Sequence, residues 1–384
     1  MTTDLTALER AVQALMDEGR LGEAEALVRP LLASGTGPIP LWQLLVRTIR
    51  PQGKISETRA ILDMIVEALP GDLTARFDLA ETLLLLGEFP RGWREYRWRY
   101  SLAHTSRIER KVQRPRWDGR RIPGKTLLIH DEQGFGDTFQ FMRMVPWAKE
   151  RSGARVILEI NPQALSLARR TSGFDEIVVR GALPPAFDVH CEMMSLPMAM
   201  GLRMEDLPGP IPYLTPDPMR LQTWRERLAH LPRPLVALAW AGRPNHQNDI
   251  NRSLDLADLA PLARPGVTFL AVQKGPKAGQ AETPPPGMNL VSLSDRIEDF
   301  EDTAAILSLA DLLISVDSSP VHLAGALERP AWVLLPFVPD WRWLLGRDDT
   351  PWYPTLRLFR QREHGVWTDV IGRVASALAG YGAA

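Results

Sequence analysis

The stretch TLLIHDEQGFGDTFQF, Thr126 to Phe141, decides how the larger part of this chain is read. A five-residue run with an apolar centre, Leu127 to Ile129, gives way to a polar turn with glycines at 134 and 136, and then to a helical pattern of apolar residues. That is strand, turn, helix, the opening of a βαβ unit. The same grammar recurs downstream. Strands are predicted at Thr126–His130, Arg155–Ile160, Glu176–Arg180 and Asp188–Cys191, and after a proline-rich connection (LPGPIPYLTPDP, Leu207 to Pro218) at Pro234–Trp240, Thr268–Gln273, Asn289–Leu293, Leu312–Val316, Trp332–Leu335 and Leu356–Arg360. The expected fold class is α/β, a pair of Rossmann-like domains at 125–215 and 216–384. Ligands of such sheets lie beyond the carboxyl ends of the strands, so a site built from post-strand loops of both halves is expected.

Upstream of Lys125 the grammar differs. GRLGEAEALV from Gly19, GKISETRAIL from Gly53 and GEFPRGWREY from Gly87 place their glycines 34 residues apart. Ala11, Leu45 and Leu79 stand eight residues before each glycine; Leu15, Ile49 and Leu83 stand four before. An apolar i, i+4 pattern stopped by glycine and followed by a second helix describes a helical hairpin, and its period resembles the tetratricopeptide repeat. Residues 1–106 are read as such an all-α module, which buries its apolar faces by stacking and carries no chemistry. Residues 107–124, ending in RPRWDGRRIPG, are read as a linker that Trp117 anchors to the next domain.

Composition bounds the function. The chain has 384 residues and a net charge of -1, against a dedicated nucleic-acid binder. One cysteine, Cys191, rules out an internal disulfide and fits a reducing compartment. The acid-containing N-terminus is wrong for a secretory signal, and no apolar run reaches the length of a membrane span. A cytoplasmic protein is expected, peripheral contact with the inner membrane being left open.

Four segments can carry chemistry. Gly134 and Gly136 allow the turn after the first strand to approach a ligand closely, and the following helix offers unpaired N–H groups. Asp137 reads both as a helix N-cap and as a general base. A dinucleotide fingerprint needs a third glycine where this chain has Phe139, which ranks a dehydrogenase below a transferase. In the second half, strand LLISV delivers the segment Asp317 to His322 and then the helical run LAGAL. Asp317, Ser318 and Ser319 are N-cap types, Pro320 suits the first turn, and His322 follows. Such a junction suits a diphosphate. Gly325 would let this helix sit close to the sheet. Arg243, Arg252, Gln273 and Lys274 lie in loops after strands, where the cations can neutralise a leaving phosphate. Lysine is scarce, 6 residues against 39 arginines, which draws attention to Lys274. No Asp-x-Asp motif and no His/Cys/carboxylate set with metal-ligand spacing is found, so no metal and no cofactor are expected. The aromatic stretch LLPFVPDWRWLL reads as core packing, with Asp340 and Arg342 as loop-ordering groups.

From about Trp117 to Trp367 the chain resembles the tetratricopeptide-linked branch of glycosyltransferase family 9, the ADP-heptose lipopolysaccharide heptosyltransferase-like proteins. The resemblance rests on WDG at 117–119, EQGFGDTFQF at 132–141, NRS at 251–253, and the segment Val316 to Leu327 followed by LLPFVPDWRWLL. It implies a GT-B fold and an inverting, metal-independent sugar transfer from a nucleotide-sugar donor, with Asp137 as base and Ser318, Ser319 and His322 at the donor diphosphate. Ser319-Pro320 departs from the small residue many relatives carry there. Arg252 is chosen for the family's basic residue in the loop after the first C-terminal strand. The repeats would select the acceptor, a protein such as a flagellin or another surface polypeptide, or a lipid-linked glycan. The rival from another class is a non-catalytic, repeat-based interaction scaffold with a degenerate transferase domain.

Overall fold

The computed structural model describes residues 4–102, 112–246 and 248–381. The first part of the expected linker, 107–111, lies outside the described residues. The chain divides into two compact units: one of residues 1–109 with Phe337–Gly346, the other of Arg110–Pro336 with Arg347–Ala384.

The first unit is helical. Its three helical pairs are α1 (Leu5–Asp17) with α2 (Leu21–Val28), α3 (Ile39–Ile49) with α4 (Ile55–Ala68), and α5 (Leu73–Leu85) with α6 (Phe89–Tyr96). Each pair turns at its glycine, all three left-handed: Gly19 at φ 75°, Gly53 at 75° and Gly87 at 81°. The same bond closes each first helix. The N–H of Arg20, Lys54 and Glu88 donates to the carbonyl of Leu15, Ile49 and Leu83, respectively. This is the six-to-one bond of a Schellman C-cap, repeated in register with the sequence period. Val12, Val28, Leu45, Ile49, Ile65, Leu79 and Leu83 belong to one core. Phe337–Gly346 packs here too. Trp341 meets Trp93 edge-on at 5.2 Å and Tyr96 at 6.0 Å. Sequence order alone assigns this segment to the C-terminal domain; its packing assigns it to the helices.

The second unit holds two parallel sheets. β1 (Thr126–His130), β2 (Arg155–Ile160), β3 (Glu176–Val179) and β4 (Val189–Glu192) run in the order β3-β2-β1-β4. β5 (Leu235–Ala239), β6 (Thr268–Ala271), β7 (Leu290–Ser292), β8 (Leu312–Val316), β9 (Ala331–Leu335) and β10 (Leu356–Arg360) run β10-β9-β8-β5-β6-β7. Every strand pair is parallel. Helices cover such sheets on both faces, which is why the strands read as unbroken apolar runs. Strand order reverses between β1 and β4, and again between β5 and β8, the points where crevices open. α7 (Phe135–Met142) and α8 (Met144–Ser152) follow β1, broken only at Arg143. Among the described residues no helix is long and apolar enough to cross a membrane.

Trp117 does anchor the approach to β1. It is buried, its backbone N–H donates to the His190 carbonyl at 2.7 Å, and its indole N–H donates to the Arg120 carbonyl at 2.8 Å. Gly119 beside it has φ 86°, and a Cβ there would lie 1.7 Å from the Ala199 carbonyl oxygen. Left-handed backbone and a backbone clash act together. Gly119→Ala is therefore expected to lower unfolding free energy by roughly 2–5 kcal/mol, checked by urea denaturation.

Candidate functional site

The turn after β1 and the helix after β8 come together through a glycine. A Cβ on Gly136 would lie 2.8 Å from His322 Cδ2, so the imidazole edge rests on the bare backbone of α7. Only a residue without a side chain allows that approach. His322 is buried in the helix Ser319–Ala326, four residues past its N-cap. Its Nδ1 is 3.0 Å from the Tyr353 hydroxyl, and its Nε2 is 3.8 Å from Asp317 Oδ1. The imidazole is thus gripped on one side by a phenol and faces a carboxylate on the other.

Asp137 is not the N-cap. Gly134 holds that position, and Asp137, three residues on, accepts the Gly134 N–H through Oδ2 at 2.9 Å. A carboxylate has lone pairs beyond the one this bond uses, so the group still has capacity to accept. Arg243 Nη2 and Asp137 Oδ2 lie 3.4 and 3.3 Å from the place a Cβ on Gly134 would occupy. The exposed guanidinium of the post-β5 loop therefore reaches the glycine turn of the other sheet.

Arg252 joins the same group from below. Its Nη1 donates to the Asp317 carbonyl at 3.0 Å, and Asp249 stands 3.4 Å from its Nε. Ser253 explains the rest of the NRS motif: its hydroxyl donates to Asp249 Oδ1 at 2.9 Å and accepts the Gly242 N–H at 2.9 Å. The post-β5 loop is thereby folded back onto the turn after β8.

Ser318 occupies the N-cap position of Ser319–Ala326, but its hydroxyl donates to the Val316 carbonyl at 3.2 Å and lies 3.1 Å from Ser315 Oγ. The Ser318 side chain makes no capping bond to the helix. Its start keeps the partial positive charge of uncapped N–H groups, reduced in number by Pro320. Ser319 follows, half-buried. Gly325 packs not on the sheet but on the Tyr353 ring, 2.3 Å from where a Cβ would stand.

Gln273 and Lys274 are occupied elsewhere. Gln273 Oε1 accepts the N–H groups of Trp240 and Ala241, both at 2.9 Å, and its Nε2 donates to the carbonyls of Ala241 and Lys274. It ties the loops after β5 and β6. Lys274 Nζ donates to the carbonyls of Ser294 and Ile297 at 2.7 and 2.9 Å. Both set loop geometry, and a backbone partner leaves no mark on the sequence.

Arg143 and Tyr213 escape a sequence reading for the same reason. Tyr213 donates to the Phe139 carbonyl at 2.9 Å and accepts from Arg143 at 3.0 Å. Burial pushes its phenol above the usual range, against the pull of Arg143, so it stays a donor. Burial likewise pushes the Asp131 carboxyl up, opposed by the Asn161 N–H and by Arg180. Phe139, at the position of a third fingerprint glycine, is buried and packs edge-on against Phe300 at 4.9 Å, while Phe135 meets the same ring at 4.6 Å.

No family model matches the sequence. Protein FlbA of Caulobacter vibrioides is 30% identical over 344 residues, covering 82% of this chain and 56% of FlbA. The chain thus spans little more than half the length of that relative. Among solved structures, E. coli ADP-heptose LPS heptosyltransferase II matches 66% of this chain and 98% of its own at 13% identity, with a TM-score of 0.50. The glycosyl transferase family 9 protein of Veillonella parvula matches 64% and 88% at 10% identity, with a TM-score of 0.45. The heptosyltransferase II likeness gives the fold: mixed α/β with parallel sheets, of the GT-B-like heptosyltransferase kind.

Contact between Gly136 and His322 yields a paired test. Gly136→Ala is expected to cost about 1–3 kcal/mol, because the buried imidazole must move. Gly372, exposed within the helix Thr368–Ala379, has nothing within 4 Å of an added Cβ. Gly372→Ala is expected to stabilise by about 0.5–1 kcal/mol, helix propensity acting alone. Denaturation midpoints of the two variants check the opposite signs.

Proposed function

We propose that this chain is a glycosyltransferase that moves a sugar from a nucleotide-sugar donor to an acceptor hydroxyl, with inversion and without a metal at the donor diphosphate. The observation that carries this reading is the Gly136–His322 contact, which joins the glycine turn after β1 to the uncapped helix after β8. The fold shared with heptosyltransferase II supports it.

On this reading the diphosphate lies at the start of Ser319–Ala326, against the helix dipole, Ser318, Ser319 and His322. Arg252 holds the Asp317 turn in place, and Arg243 supplies a mobile cation at the mouth of the site. Two guanidinium groups and a helix terminus offer the positive charge that a divalent ion supplies elsewhere. Asp137 removes the acceptor proton as the anomeric carbon inverts. Its bond to the Gly134 N–H fixes the carboxylate, and asparagine keeps that bond through its carbonyl oxygen while losing the basicity. Gln273 and Lys274 position the loops.

The helical unit is proposed to be a tetratricopeptide-type array that selects a polypeptide or glycan acceptor. Three left-handed glycines at a 34-residue period support it.

Calorimetric titration with ADP-, UDP-, GDP- and CMP-linked sugars, with and without chelator, is expected to show one chelator-insensitive ligand whose binding is lost in Ser318→Ala/His322→Ala. No binding to any would replace the transferase by a repeat-based scaffold. Asp137→Asn is expected to retain binding and lose roughly 10²–10⁴-fold in turnover, about 3–5 kcal/mol of barrier. Full turnover in that variant removes Asp137 from the chemistry.

A further inference from the structure

The geometry points to a divalent transition-metal site at His130, His190 and Glu192, held in this conformation by Arg116 as a resident cation. The inference is independent of the transferase reading.

His130 ends β1; His190 and Glu192 lie two apart on β4 and so share one face of the sheet. The strands are neighbours, with His130 in register with Glu192. One ligand atom from each residue lies within 4.8 Å of the others, and the residues are 2%, 3% and 1% exposed. Two of the three are strand-terminal residues, at the point where the strand order of the sheet reverses. That is where open parallel sheets place ligands. Three titratable groups on one buried face of otherwise apolar strands call for a reason.

The spacing of the two imidazoles fits a metal. His130 Nε2 and His190 Nδ1 are 3.2 Å apart. Two imidazole nitrogens bound to a tetrahedral ion at about 2.05 Å sit roughly 3.3 Å apart, so the separation already matches and a modest rotation of each ring exchanges the shared proton for an ion. One ring shifts its proton to the far nitrogen, and no net proton is released from a neutral pair. Two imidazoles and a carboxylate suit Zn²⁺ or Co²⁺ and leave a fourth position for water or a ligand.

Glu192 explains what competes. Its Oε1 accepts from Arg116 Nε at 2.8 Å, and its Oε2 accepts from Ser195 at 3.1 Å. A fully buried carboxylate needs a counter-charge, and the cation that supplies it is 47% exposed. Arg116 can therefore swing into water, provided another cation replaces it. Spacing along the chain hides this group, because His130 and His190 stand 60 residues apart.

The test is titration of chelator-treated protein with Co²⁺, followed by visible absorption, in wild type, Arg116→Gln, Glu192→Gln and His190→Asn, with Zn²⁺ used for thermal shifts. Arg116→Gln is expected to bind one Co²⁺ with tetrahedral absorption at least tenfold tighter than wild type, and to gain more from Zn²⁺ in unfolding midpoint. Adding His190→Asn or Glu192→Gln to that variant is expected to abolish the band. A folded Arg116→Gln with no band, or a band that survives His190→Asn, overturns the site. Should Arg116→Gln fail to fold, wild type at raised Co²⁺ decides: a band absent from His190→Asn supports the site, and no band at any concentration overturns it.

Discussion

A buried arginine ties together three segments of the two-sheet unit. Arg143 is 3% exposed and has no carboxylate within ion-pair distance among the described residues. It is solvated by protein instead. Its guanidinium donates to the carbonyls of Gln140, Pro208 and Trp352 and to the Tyr213 hydroxyl, and it lies on the rings of Tyr213, Trp352 and Tyr353 at 4.7, 5.6 and 4.7 Å. A cation taken out of water without such partners would be too costly to keep. The position must therefore be filled by three separate chain segments at once: the break between α7 and α8, the proline-rich connection, and the turn before β10. From there the order passes outward. Tyr353, pinned by Arg143, grips His322 and carries Gly325 on its ring; His322 rests on Gly136. Lysine at 143 could neither make the planar set of bonds nor stack, so the substitution is not conservative here.

Much of the fold was legible because parallel sheets advertise themselves. A strand buried on both faces has to be apolar throughout, and each of the ten runs read from the sequence lies over a strand, ends shifting by no more than one or two residues. The helical pairs were legible through Gly19, Gly53 and Gly87, since a Schellman turn demands a residue at home with positive φ. Three segments singled out separately in the sequence, the glycine turn, Asp317–His322 and Arg252, come together in the structure. Roles were harder. Asp137 looked like a cap by residue type, but a glycine three residues earlier holds that place, and its carboxylate reaches back to it. Gln273 and Lys274 looked like cleft residues because they follow a strand. Their polar atoms are satisfied by backbone groups of neighbouring loops, and sequence carries no record of such bonds.

Charge at the site is arranged by distance from solvent. Arg252 is largely buried and tied to the Asp317 carbonyl, so its position is fixed by the protein. Arg243 is exposed beside Gly134 and keeps more side-chain freedom. The uncapped helix start contributes charge without any side-chain rearrangement at all.

The segment Phe337–Gly346 belongs by packing to the helical unit. The third helical pair has an apolar face that the first two pairs do not cover. Here α6 carries Phe89, Trp93 and Tyr96, all buried, and the covering residue comes from far along the chain. Trp341 closes over Trp93 and Tyr96 edge-on, Arg342 lies on the outer Trp341 face at 4.2 Å, and Asp340 both accepts the Arg342 N–H and pairs with its guanidinium. Phe337 reaches back to Gly53, where a Cβ would stand 2.9 Å from its ring. The aromatic richness of LLPFVPDWRWLL is thus core packing, as its composition suggests, but the core is that of the helical unit. Sequence could state that these rings are buried; it had no means of saying by whom, because the partner's apolar face is complete only once the third pair has folded.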